Sequence, residues 1–141
     1  ENAISENAKK GYRLFLKLGC QTCHTGPAMG GQSFEYADLK GDFFGGRAKT
    51  NDDNGLMNFT KKETDKHRFR VPTLRNVELT WPYMHDASAQ TLEEAITKMY
   101  HYQLGYDKLD KTEVRLLVAF LKTLTGEYQG KPVRGEVCPA P

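Results

Sequence analysis

The chain has 141 residues with 20 basic and 18 acidic side chains, a length that suits one domain. Its net charge of +2 gives no basic surface for nucleic acid, three cysteines are too few for a disulfide scaffold, and no apolar run approaches the roughly 18 residues of a membrane span. Leu, Ile, Val and Phe together number only 29, so we expect an ordered core that is completed by something other than side chains.

The first half of the chain is predicted to form one helix and one long loop. Residues 5–18 have an amphipathic pattern with Ser5 as N-cap, and Gly19 ends the helix. Residues 25–60 are rich in Gly, Asn and Asp and have no sustained period, and the basic run 61–70 that follows should be exposed. We expect the loop to wrap against the core through its aromatic side chains, which are Phe34, Tyr36, Phe43, Phe44 and Phe59.

Two helices are predicted in the second half. The first covers residues 92–102, where Thr91 and Glu94 form a capping box. Its inward face carries Leu92, Ala95, Ile96 and Met99. The second starts near Asp110 and ends at Gly126. Residues 1–126 should therefore form the domain, followed by an extended tail over 127–141 in which Cys138 either pairs between chains or stays a free thiol.

Residues 20–24 carry the strongest chemical signal, the string Cys-Gln-Thr-Cys-His. This spacing is the attachment signature of c-type haem, because two thiols three residues apart reach both vinyl groups of one porphyrin edge and the next imidazole binds the iron. A thiol redox pair and half of a zinc site are the alternatives. A redox pair usually follows a strand, and a zinc site needs further ligands, so the sequence favours one covalently bound haem c with His24 as an iron ligand.

The residue on the other side of the iron decides the chemistry, because a second ligand favours electron transfer and an open position favours peroxide reduction. Met29 is too close in sequence to His24 to reach the opposite face of the ring. Met99 lies on the inward stripe of its helix, where ordinary core packing is the simpler explanation. The remaining candidates are Met57, Met84, His67, His85 and His101.

Five segments resemble the C-terminal haem domain of the bacterial di-haem cytochrome c peroxidases, the family that includes the MauG-like proteins. They are GYRLFLKLGCQTCHTGPAMGGQSF (11–34), GGRAKT (45–50), FRVPTLRNVELTWPYMHD (69–86), TLEEAITKMYHYQLG (91–105) and LLVAFLKTLTG (116–126). The resemblance implies an all-α, class I cytochrome c fold, with helices and a long wrapped loop around one haem.

The resemblance also implies roles for individual residues. The methionine before QLG, Met99, is implied as the distal ligand of a high-potential, electron-accepting haem, and His85 as a haem-edge residue. Backbone carbonyls at Thr80 and Pro82 correspond to part of a calcium site between two domains. The arginines implied as candidates for pairing with haem propionates are Arg47, Arg70 and Arg75.

The chain departs from that family in having a single Cys-x-x-Cys-His motif. We therefore expect a mono-haem electron carrier or, as the alternative, the electron-accepting domain or a fragment of a di-haem peroxidase that reduces hydrogen peroxide. A third hypothesis is an enzyme with an open iron, served by Tyr100, His101 and Tyr102. The expected partner is a small cytochrome, a cupredoxin or a peroxidase domain, steered to the basic run 61–70 in the periplasm.

Overall fold

The structure is a computed structural model that describes residues 3–135. Within that range the helices are α1 (Glu6–Lys17), α2 (Met57–Thr60), α3 (Leu92–Tyr102) and α4 (Lys111–Lys122). The strands are β1 (Phe34–Tyr36), β2 (Arg68–Arg70), β3 (Glu127–Tyr128) and β4 (Lys131–Pro132). No helix among the described residues is long and apolar enough to span a membrane. The strands are only two or three residues long, so the predicted all-α class is confirmed.

Helices α1 and α4 pack against each other at the centre of the molecule. Ser5 caps α1 as predicted, with its hydroxyl accepting a hydrogen bond from the Ala8 amide at 3.2 Å. The helices approach closely at Gly11, where a Cβ atom would overlap the carbonyl oxygen of Leu116. The ring of Phe120 lies 5.3 Å from that of Phe15, so an aromatic contact fills the crossing.

Helix α3 packs on α4, and its first turn is its most buried part. Its capping box forms as predicted: Thr91 accepts from the Glu94 amide at 3.2 Å, and the Glu94 carboxylate accepts from the amide of Gln90. Leu92 is buried, while Ala95 and Ile96 are partly buried against the core. Helix α4 ends at Lys122 rather than at Gly126 as predicted, because the next amides turn back to carbonyls of the last helical turn.

The long loop forms β1 and α2 and contacts the C-terminal end of α3, while its aromatic side chains lie outside the central core cluster. Strand β1 pairs antiparallel with β2, so that Phe34 lies opposite Arg70. Phe44 is buried as predicted, with 1% of its side chain exposed. The prediction for Phe59 is wrong, because its side chain on α2 is 88% exposed. A short helix of four residues buries only one face, and aromatic character alone does not reveal which face that is.

The prediction that residues 61–70 are exposed is wrong for the second half of the run. Asp65 is buried, and His67 and Arg68 are partly buried, because β2 pairs with β1. Arg68 binds Asp65 at 3.2 Å and the carbonyl of Phe34 at 2.9 Å. Lys61 and Lys62 are exposed as expected.

The beginning of the tail is a hairpin and not an extended chain, so that prediction is wrong for residues 127–132. Strands β3 and β4 pair, and the amide of Val133 donates to the carbonyl of Gly126 at 2.9 Å. Gly130 in the turn has φ = 73°, a conformation that glycine adopts without strain. Cys138 lies outside the described residues.

Candidate haem-binding site

The Cys-x-x-Cys-His segment follows directly from the end of α1. Gly19 turns the chain with φ = 80°, and a single 3-10 turn then covers Cys20–Thr22. The amide of His24 donates to the carbonyl of Cys20 at 3.0 Å, which closes the turn. Both thiols and the imidazole are therefore presented by one tight turn, as attachment to a single porphyrin edge requires.

The two thiols lack the lowered pKa that is typical of a redox pair. Cys20 and Cys23 are free cysteines, and each is partly buried. Burial raises the pKa of the Cys20 thiol to about 11, and burial followed by the Glu35 charge raises the pKa of Cys23. Redox-active thiols in Cys-x-x-Cys motifs have lowered pKa values, so the electrostatics argue against that alternative.

The imidazole of His24 is held in one tautomer by a backbone carbonyl. Its Nδ1 lies 3.3 Å from the carbonyl oxygen of Met29, and since a carbonyl only accepts, Nδ1 carries the proton. Burial lowers the pKa of the imidazole, which keeps Nε2 unprotonated and able to bind a metal. The role of the Met29 carbonyl was missed by sequence reasoning, since backbone acceptors leave no residue-type signal.

The methionine candidates occupy different environments. Met29 and Met84 are partly buried and pack against the core, and Met57 is partly buried in α2. Met99 is 36% exposed, although its neighbours Ala95 and Ile96 on the same stripe pack inward. Core packing therefore does not account for Met99, and its role as the distal ligand stays a prediction.

The three histidines that were considered as iron ligands each have a partner within the protein. Nδ1 of His67 lies 3.0 Å from a carboxylate oxygen of Asp38. Nε2 of His85 donates to Asp53 at 2.7 Å, and Nδ1 of His101 lies 3.3 Å from the carbonyl of Tyr106.

A buried carboxylate, Asp53, organises the loop in a way that the sequence analysis did not foresee. It is 1% exposed and accepts from both terminal nitrogens of Arg47, at 2.9 and 2.6 Å, and from the amide of Thr50 at 2.7 Å. The Arg47 hydrogen bonds hold the pKa of the carboxyl well below its usual range, with His85 adding to the effect. The Thr50-x-x-Asp53 capping box was the available signal.

The three arginines that the resemblance implies as partners of the haem propionates differ in their surroundings. Arg47 already binds Asp53 and lies 3.2 Å from Asp86, so a propionate would compete with two carboxylates of the protein. Arg70 and Arg75 are exposed. All three assignments stay predictions, as does the calcium site at Thr80 and Pro82. No group of three or more His, Cys, Asp or Glu side chains comes together to hold a metal ion within residues 3–135.

Comparison with known proteins gives a consistent set of matches. Residues 8–125 match the cytochrome c family. Cytochrome c551 peroxidase of Nitrosomonas europaea is 46% identical over 127 residues, which cover 90% of this chain and 36% of that protein. Cytochrome c peroxidase Ccp of Escherichia coli is 48% identical over 128 residues, covering 91% of this chain and 27% of that protein.

Two further similarities point the same way. Methylamine utilization protein MauG of Methylorubrum extorquens is 32% identical over 142 residues, covering 90% of this chain and 37% of that protein. The crystal structure of a MauG-like protein associated with microbial copper homeostasis superposes with a TM-score of 0.69 at 30% identity, covering 86% of this chain and 44% of that one. The chain thus spans less than half the length of each of these relatives.

Proposed function

Because this chain belongs to the cytochrome c family, we propose that it transfers single electrons through a haem held by Cys20, Cys23, His24 and Met99. Proteins of that family have a covalently bound haem c and the class I cytochrome c fold. The expected cofactor and the expected fold of this chain are therefore both confirmed. Relatives named cytochrome c peroxidase and MauG also confirm the family resemblance. The residues that hold the haem and the electron-carrying role are the proposal.

The residues present fit a haem c that would be held at its iron by the imidazole of His24 and the thioether of Met99. The thiols and His24 come from one turn, and the hydrogen bond from Nδ1 to the Met29 carbonyl leaves Nε2 as the ligand atom. The Met99 side chain lies outside the packed core. When bound, a haem with imidazole and thioether ligands supplies reversible one-electron chemistry at a raised reduction potential.

The protein's own residues make the site suitable for electron transfer and less suitable for catalysis. Phe15 is buried, and its ring centre lies 6.5 Å from the imidazole of His24, so an apolar ring adjoins the proposed ligand. The rings of Tyr100 and Tyr106 lie 5.0 Å apart in a tilted contact, and the ring of Tyr102 meets Phe43 edge to face at 5.0 Å. Packing therefore accounts for these tyrosines without an acid–base or radical role.

The optical spectrum of the ferric protein tests the proposal. We expect low-spin features and the far-red charge-transfer band of a methionine–iron bond. Met99→Ala should abolish that band and produce a high-spin spectrum, whereas Met84→Ala, a matched change in a core methionine, should leave the band intact. If Met99→Ala retains the band, Met99 is not the ligand; a high-spin wild-type spectrum with rapid peroxide reaction would favour the open-iron enzyme.

A second candidate function is that of the electron-accepting domain of a peroxidase that reduces hydrogen peroxide. It is supported by relatives named cytochrome c peroxidase that align with 90% and 91% of this chain. The native gene product, purified from its own host, distinguishes the two. Two haems per polypeptide with peroxide turnover support the peroxidase, and one haem per polypeptide without turnover supports the carrier.

The cellular setting follows from the chemistry of attachment. Thioether attachment of haem c takes place outside the cytoplasm, and the relatives described above are bacterial proteins, which supports a periplasmic location. The electron partner in that compartment would be a small cytochrome, a cupredoxin or a peroxidase domain. Fractionation of the host cell with a periplasmic marker enzyme tests the location, and co-purification with the cytoplasmic marker would contradict it.

A further inference from the structure

The second half of α3 is less fully buried against the core than its first turn. Leu92, in the first turn, is the buried residue of this helix among those described. Ala95, Ile96 and Tyr100 pack against the core but are only partly buried, and Met99 is 36% exposed. Core packing therefore fixes where α3 begins and covers its later turns less fully, and it leaves the Met99 side chain uncovered.

The C-terminal end of α3 is instead held by the segment 36–43 of the long loop. The side-chain amide of Gln103 donates from Nε2 to two successive carbonyls, those of Tyr36 at 3.0 Å and Ala37 at 2.8 Å. A primary amide has two N–H groups, so it can satisfy two carbonyls at once. In return, the amide of Lys40 donates to the carbonyl of Tyr102 at 2.9 Å.

Two close contacts add to these hydrogen bonds. Gly105 has φ = 76°, and a Cβ atom at this position would lie 3.2 Å from Cβ of Lys40. The ring of Tyr102 meets Phe43 edge to face at 5.0 Å. The helix end and the loop segment therefore meet through polar, backbone and aromatic contacts, and the side chain with two hydrogen bonds across this contact is Gln103.

We propose that Gln103 is a positioning residue, which holds the last turn of α3 against segment 36–43 and so keeps the Met99 thioether directed at the haem iron. The backbone amide of Gln103 donates to the carbonyl of Met99 at 2.9 Å, so the two residues share one helical turn. The inference rests on the proposed function, because it takes Met99 as the distal ligand.

The test uses the haem-loaded ferric protein and cyanide, which binds iron only when the methionine has left. In Gln103→Leu, cyanide binding should be about tenfold faster, the change expected when two amide–carbonyl hydrogen bonds no longer favour the closed arrangement. The far-red methionine–iron band should weaken at the same time. Gly105→Ala disturbs the same contact from the backbone and should change both readouts in the same direction.

Gln90→Leu is the matched control, because the Gln90 side chain donates to the Ala87 carbonyl at 2.7 Å at the other end of α3. It should leave the cyanide rate within about twofold of wild type, even where it lowers the melting temperature. If Gln103→Leu and Gly105→Ala change the rate no more than Gln90→Leu does, Gln103 is merely structural and the inference fails. If Met99→Ala retains the far-red band, the ligand assignment fails and the inference fails with it.

Discussion

His85 donates a 2.7 Å hydrogen bond from Nε2 to Oδ1 of Asp53, which joins two segments 32 residues apart. The His85 ring also stacks on Phe69 at 4.3 Å between centres. Asp53 binds Arg47 through both carboxylate oxygens, and Arg47 in turn lies 3.2 Å from Asp86. The wrapped loop and the turn after Pro82 are thus linked through one buried carboxylate, which lies outside the set of haem ligands.

Replacing Asp53 with Asn should destabilise the protein while leaving the methionine–iron band in place. The asparagine amide keeps the shape of the carboxylate but removes the charge that faces Arg47. Removing one charge of a buried ion pair destabilises the folded protein, because the other charge is left without its partner. We expect the melting temperature to fall by about 5 °C or more. Thermal unfolding followed by circular dichroism measures it, with the exposed Asp52→Asn as control; equal melting temperatures for the two variants would contradict the role of Asp53.

The same carboxylate predicts a dependence on acid. Its pKa is lowered in the folded state, whereas an unfolded aspartate titrates at about pH 3.9. As the pH falls below about 4, the unfolded chain binds this proton first, so the stabilisation by Asp53 is complete above that pH and is lost below it. The difference in free energy of unfolding between wild type and Asp53→Asn should therefore shrink from pH 6 to pH 3, and a constant difference would contradict it.

Gly11→Ala should destabilise the crossing of α1 and α4, although alanine is the better helix former. A Cβ atom there would overlap the Leu116 carbonyl oxygen and lie 2.9 Å from Cβ of Phe120, so the helices must move apart. We expect a loss of about 1–3 kcal/mol in the free energy of unfolding, measured in urea. Lys10→Ala on the exposed side of α1 is the control, and a Gly11→Ala variant as stable as wild type would show that the contact is not tight.

Each cysteine of the attachment turn should contribute one covalent bond to the haem. Cys20→Ala and Cys23→Ala should each retain haem through acid–acetone extraction, since one thioether remains, and the reduced pyridine spectrum should shift to longer wavelength because one vinyl group stays unsaturated. The double variant should release its haem completely. If the double variant keeps covalently bound haem, the assignment of Cys20 and Cys23 as the attachment sites is wrong.

The exposed lysines of the basic run should accelerate docking of an acidic partner. Three members of the run have carboxylate partners within the protein: Lys66 lies 3.4 Å from Glu63, His67 3.0 Å from Asp38 and Arg68 3.2 Å from Asp65. Lys61, Lys62 and Arg70 are exposed, and the two lysines lie beside the 88% exposed Phe59, so the steering surface to be tested is the one around Lys61 and Lys62.

The variant with both Lys61 and Lys62 changed to Gln should associate about three- to tenfold more slowly with an acidic redox partner at low salt. The effect should disappear at high salt, because screening removes long-range attraction. Stopped-flow electron transfer measures the rate, and the exposed pair Lys108 and Lys111, changed to Gln together, controls for net charge. If both double variants associate at the same rate, and if that rate does not change with salt, steering by this surface is excluded.

The sequence by itself determined the features that depend on near neighbours. The haem c attachment turn is encoded by five consecutive residues, and the caps at Ser5 and Thr91 act within four residues of themselves. The helical class follows from a 3.6-residue period that core packing enforces. Membership of the family was readable for the same reason, because its motifs are continuous strings.

Only the tertiary structure decided which side chains meet across the chain. Gln103 reaches carbonyls 66 and 67 positions earlier, and Asp53 binds Arg47 within the long loop and His85 beyond it. Phe44 and Phe59 have the same side chain and both lie in the long loop, yet one is buried and the other exposed. Such outcomes depend on how the loop closes over the helices, a long-range balance of burial and hydrogen bonding that no local period or propensity records.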